Sequence, residues 1–125
     1  MEVHLFTPHN FHFVLNKVTE DKSVITYTYG QDLEPMGKAD LVVILNSESQ
    51  PIYQSVKAVK VSARLNSHAV IISDMNLNMG LRIAGEKIAG KYGISHVVAT
   101  DLVEEINQLI GIVNYSRVHN IGELN

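Results

Sequence analysis

The chain has no cysteine. That absence removes disulfides, thiolate metal sites, iron–sulfur clusters and thiol nucleophiles together, and it leaves the redox compartment open. Basic residues are not in excess either: 10 Lys and Arg stand against 13 Asp and Glu, a formal charge of −3 with a pI near 6.0. Such a balance gives no broad attraction to nucleic acid or to an anionic membrane surface. No apolar run approaches the roughly 18 residues of a membrane span. The opening Met-Glu-Val-His carries no basic stretch followed by an apolar core, so no secretory signal is expected and a cytosolic setting is. With only 3 prolines and 8 glycines, none gathered into a linker, the chain reads as one domain over 1–125, with 115–125 as a polar tail. What is present fits that reading: 125 residues, 46% apolar and 18% charged, are enough to bury one sizeable core.

Short apolar runs alternate with segments of helical period. Val3 to Phe6 reads as a strand closed by Thr7-Pro8, a pair suited to a helix start, after which Phe11, Val14, Leu15 and Val18 share one helical face. Val24 to Tyr29, rich in β-branched and aromatic residues, reads as a second strand ending at Gly30, and Gln31 to Ala39 as a loop. Leu41 to Leu45 is apolar throughout, as in a central parallel strand buried on both faces. Ile52, Val56, Val59 and Ala63 continue as a helical stripe. Ala69 to Ile72 follows as a strand, then a helix capped by Asn76 or Asn78 and carrying Leu81, Ala84, Ile88 and Ala89. The last strand, His96 to Ala99, precedes a helix with Asp101 and Glu104 at capping spacing and a stripe of Leu102, Val103, Ile106, Leu109, Ile110 and Val113. The order β-α-β-β-α-β-α-β-α calls for a parallel sheet covered on both faces. The expected architecture is a three-layer α/β/α sandwich, five-stranded and Rossmann-like or flavodoxin-like, with strand order near 2-1-3-4-5. Gly80, Gly85 and Gly90, with Ala84 and Ala89, give one helix a small-residue surface for close packing or, alternatively, a dimer contact.

Ligands of such sheets bind beyond the carboxyl ends of the strands. The tenants with recognisable loops are missing: there is no G-x-G-x-x-G after the first strand, no G-x-x-x-x-G-K-[ST], no acidic cluster of a phosphoacceptor and no Ser/Thr/Gly-rich flavin loop. No cofactor is therefore expected. The informative stretch is Asp40 to Pro51, Asp-Leu-Val-Val-Ile-Leu-Asn-Ser-Glu-Ser-Gln-Pro. It resembles the phosphosugar-binding segment of the sugar isomerase (SIS) domain family, in which an apolar strand ends in Asn-Ser-Gly-Glu-Thr or a close variant. Asn46, Ser47 and Pro51 match closely, with Tyr29-Gly30 before and Ile71 to Asp74 after in similar places, over about half the chain. The resemblance implies a sugar phosphate held by hydroxyls and backbone N–H groups at a helix start, where unpaired donors and the helix dipole favour an anion. Two positions depart from the family: Glu48 replaces its glycine, bringing a negative side chain to the approach, and Gln50 replaces its threonine. Ser47 and Gln50 also have capping-box spacing, so helix capping alone accounts for the same residues. The candidate ligand set is Asn46, Ser47, Ser49 and Gln50, with Arg82 across the crevice, His9 or Asn10 from the first loop, and Asp74 at the next strand end.

No metal site is expected. His9 and His12 stand three apart, spacing that could share a metal, but no third ligand accompanies them. His68 and His96 fall just before strands four and five and read as structural. Asp74 and Asp101 end adjacent strands, but Asp101 is accounted for as a cap. Lys57 and Lys60 read as solvated. No nucleophile–base–orienter set appears, so the reading leans away from an enzyme. Two functions remain: a small α/β module binding a phosphorylated metabolite, or a structural or interaction protein of the same fold acting as a homodimer or adaptor. The broad stripe of the last helix, or the Gly85/Ala89 surface, is the expected dimer contact.

Overall fold

A strand with no polar alternation has no face to give to water, and Leu41–Asn46 behaves accordingly, with all six residues buried. The computed structural model describes residues 2–7, 23–27, 37–48, 56–65 and 67–119. Its elements in chain order are β1 (Glu2–Phe6), β2 (Ser23–Tyr27), β3 (Leu41–Asn46), α1 (Val56–Arg64), β4 (Ala69–Asp74), α2 (Met79–Tyr92), β5 (Ser95–Ala99) and α3 (Leu102–His119). The fold is α/β on a parallel sheet. Strands β1, β3, β4 and β5 pair side by side, and β2 runs parallel along the outer side of β1, an order consistent with a Rossmann-like sheet.

Alternation along each strand sends side chains to two faces. Val3 and Leu5 of β1, Leu41, Val43 and Leu45 of β3, and Val70 and Ile72 of β4 form one core cluster with Ile106 and Ile110 of α3. Phe6, Val42, Ile44, Ala69 and Ile71 form the other with Ala58 and Val59 of α1 and Ala89 of α2. Leu102, Val103, Leu109 and Val113, partly buried, pack at the margin of the first cluster, so the stripe of this helix faces the sheet. Among the described side chains of α3, the large apolar ones left exposed are Ile112 and Tyr115. That helix also continues to His119, into the segment set aside from sequence as a polar tail.

Local chemistry sets the ends of the helices. Asn78 caps α2, its side chain accepting from the Gly80 N–H at 2.8 Å. At the other end Gly93 takes the left-handed conformation, φ 69°, which glycine adopts without a Cβ clash, and Ile94 N–H reaches back to Ala89 O at 2.9 Å. Asp101 starts α3, with its Oδ1 accepting from Glu104 N–H at 3.1 Å. No helix among the described residues is long and apolar enough to cross a membrane. The expected first helix with Phe11, Val14, Leu15 and Val18, the end of the second strand at Tyr29-Gly30, and most of the loop from Gln31 lie outside the described residues, as do Ile52 and the capping partner Gln50.

Candidate functional site: the carboxyl edge of the sheet

The strand register brings Asn46 of β3 level with Ser73 of β4, and both side chains stand on the face covered by α2. Asn46 is buried, and its Nδ2 donates to Ser73 Oγ at 3.0 Å and to the Leu81 carbonyl of α2 at 2.9 Å. The Leu81 carbonyl fixes the orientation of the amide, since a flipped Asn46 would set oxygen against oxygen. Both amide hydrogens are thus committed within the chain. Ser73 Oγ, fully buried, also lies 2.8 Å from His96 Nε2. Having accepted from Asn46, the hydroxyl can give its one hydrogen to His96 Nε2, an arrangement that puts the ring proton on Nδ1. Burial pushes His96 below its ordinary value near 6.5; the Glu86 carboxylate pulls it back up and the Arg82 guanidinium pushes it down. His96 is the second residue of β5, which starts one residue before the expected His96 to Ala99, and its ring crosses toward the β4 end of the edge. His68, by contrast, does precede β4 and is exposed.

Gly85 explains how α2 comes so close. A Cβ built there would lie 2.8 Å from Asn46 Nδ2 and 3.4 Å from His96 Nε2. Of the three glycines in this helix, Gly85 alone is buried; Gly80 and Gly90 are exposed. Gly85 and Ala89 are both turned into the fold, which removes that surface as a contact between copies.

The Asn46–Leu81 bond sets the loop after β3 beside the first turn of α2, so Ser47 follows one member of the contact and Arg82 follows the other. Arg82 is half-buried, and its Nε is enclosed without a hydrogen-bond partner among the described residues. Ser47 is half-buried and Glu48 exposed. Asp74 ends β4, and its Oδ1 accepts from Asn76 N–H at 2.8 Å, so that carboxylate shapes its own turn. Met75 N–H bonds the Ala99 carbonyl at 2.9 Å, tying the ends of β4 and β5 together. Ser49, Gln50, His9 and Asn10, and with them His12, lie outside the described residues.

Charge divides the edge. Around the end of β5, Thr100, Asp101, Glu104, Glu105 and Gln108 line a shallow polar depression of negative sign. Around the ends of β3 and β4 the charges are mixed: Arg82 and Glu86 on α2, Glu48 after β3 and Asp74 at the end of β4. An anion is thus repelled on the β5 side, and Arg82 is the cation available to it on the β3–β4 side. Among the described residues no group of three or more His, Asp or Glu is placed to hold a metal ion.

The Asn46–Ser73–His96 chain is the feature sequence reasoning missed. Its signal was present in part: Asn46 and Ser73 are polar residues near the ends of otherwise apolar strands, and Gly85 lies mid-helix. No protein-family model, no curated protein and no solved structure matches the chain.

Proposed function

We propose that the protein is a small-ligand binding module, not an enzyme, which takes a phosphorylated metabolite at the carboxyl edge of its sheet. The reading includes a complete three-layer, flavodoxin-like sandwich, the likeness of Asp40 to Pro51 to the SIS phosphosugar-binding segment, and a cytosolic setting. One observation carries it: Arg82, enclosed at Nε with no partner among the described residues, stands one residue from the contact that anchors the Asn46–Ser47 loop. A guanidinium with an unspent donor beside a strand-to-helix loop is suited to a phosphate oxygen. Ser47 and the backbone N–H groups after it supply the remaining donors, with Ser49, Gln50, His9 and Asn10 as further members of the proposed set. Asn46 serves by holding the loop in place. The acidic side chain of Glu48 keeps affinity low.

Calorimetry with a sugar phosphate on the wild type, Glu48→Gly, Ser47→Ala and Arg82→Gln tests the reading. Binding should tighten in the first variant and weaken in the other two. A ligand at a hundred times its dissociation constant should also add about 2.7 kcal/mol of apparent stability in a thermal-shift screen. If Glu48→Gly binds no phosphate and Ser47→Ala loses only stability, the segment is a helix cap and the reading fails.

A second reading, an interaction protein that works as a homodimer, has its own observation. Ile112 and Tyr115 are 63% and 58% exposed and line, with Gln108 and Gly111, an apolar depression on α3. Sedimentation of the wild type and Ile112→Glu separates the cases: a dimer lost in the variant supports this reading, and a monomer in both removes it.

A further inference from the structure

The polar chain beneath α2 has a property that neither reading of the edge requires. Asn46, Ser73 and His96 come from three adjacent strands, and the Asn46–Leu81 bond carries the chain into the helix. We propose that these residues form an acid-sensitive latch that holds the first half of α2 on the sheet, and that a proton on His96 opens it.

In the closed state each hydrogen has a place: Asn46 Nδ2 gives one to Ser73 and one to Leu81, and Ser73 gives its own to His96 Nε2. A proton on Nε2 turns that acceptor into a donor. Two donors then face Ser73 Oγ, and its own hydrogen must turn away from His96 inside a site with no solvent exposure. A buried donor that loses its acceptor is costly, so the proton weakens the chain.

The charges around the ring act in the same place. Of the described charged groups acting on His96, Glu86 and Arg82 both belong to α2, while β3 and β4 present the neutral Asn46 and Ser73. Burial of the ring is the largest effect opposing a cationic His96; the exposed Glu86 attracts that charge more than Arg82 repels it, without offsetting the burial. Gly85 adds a steric reason: with no Cβ, α2 touches the latch directly, so displacement of Asn46 or His96 is felt by the helix. The part released is the start of α2 with the turn after β4, which are two walls of the carboxyl edge.

The test uses the full chain and His96→Gln, which keeps a neutral acceptor near the position of Nε2 but does not titrate. Amide exchange, corrected for intrinsic rates, is followed at Leu81 to Lys87 between about pH 8 and about pH 5. Protection there should fall severalfold in the wild type as pH drops and hold in the variant, whereas β3 amides keep theirs in both. Equal loss in the two proteins, or no loss in the wild type once His96 has titrated, would overturn the proposal. Nitrogen-15 shifts of the ring give an independent check: the Nδ1–H tautomer is expected above the titration, and an Nε2–H tautomer would overturn the donor order on which the latch depends. Ser73→Ala should raise the His96 titration midpoint; an unchanged or lowered midpoint would count against the latch.

Discussion

The two faces of the sheet are built differently. On the face under α3, Val3, Leu5, Leu41, Val43, Leu45, Val70 and Ile72 meet Ile106 and Ile110 in one apolar cluster. The face under α1 and α2 has a comparable apolar floor, but buried polar groups run through it: Asn46 and Ser73 at the carboxyl end, with the half-buried His96 beside them, and Ser62 of α1. Apolar burial is non-directional and sets how much stability is available. A buried hydrogen-bond chain adds little net energy when complete, but it accepts one arrangement and penalises all others. The first face therefore sets strength, and the second sets position at the edge where a ligand would bind.

The largest effect is expected at Val43, fully buried in the cluster under α3. Val43→Asp should cost about 4 kcal/mol or more, because nothing there pairs a charge. A near wild-type denaturation midpoint would show that this strand is not central. Ile106→Ala, on the opposing helix, should cost about 2–5 kcal/mol by lost transfer and cavity, read from urea unfolding; a much smaller loss would mean that α3 covers the face only loosely.

On the polar face, Gly85→Ala sharpens the contrast. Overpacking against Asn46, at 2.8 Å from the new Cβ, costs roughly 1–3 kcal/mol, and better helix propensity returns about 1 kcal/mol, so a net loss near 1 kcal/mol is expected. Gly90→Ala in the same helix meets nothing within 4 Å and should gain up to about 1 kcal/mol. Equal effects at the two glycines would remove the close approach from the account. The smallest expected effect is one of pH. The native state holds His96 below the ordinary value near 6.5 through burial, so below that value the unfolded chain binds a proton that the native chain resists. Its contribution to stability is full above the unfolded value and is lost as pH falls from there toward the lowered native one. The wild type should lose ground to His96→Gln over that range, and a pH-independent difference between them would show that His96 titrates alike in both states.

Much of the frame was legible in the chain. Leu41 to Leu45 and Ala69 to Ile72 could be read as buried parallel strands because unbroken apolar runs have no solvent face, and each extends only slightly further, to Asn46 and Asp74. Asp101 could be named as a cap, and Asn78 as one of two candidates with Asn76, because a side-chain oxygen two or three residues from an unpaired N–H is a local matter. The site was less legible. Ser47 and Arg82 each follow one member of the Asn46–Leu81 contact, but the commitments of Asn46 and Asp74 within the fold were not visible, since each depends on where a partner lies in space.

Periodicity and capping act over a few neighbouring residues, so the α/β class, the central strands β3 and β4 and the starts of α2 and α3 were legible in the chain. Tertiary structure alone decided which of three glycines takes the close contact, and that His96 and Asn46 share Ser73 across separations of 23 and 27 residues. Those outcomes depend on strand register and on the seat of α2 over the sheet, and register is settled only when the two faces have found their helices.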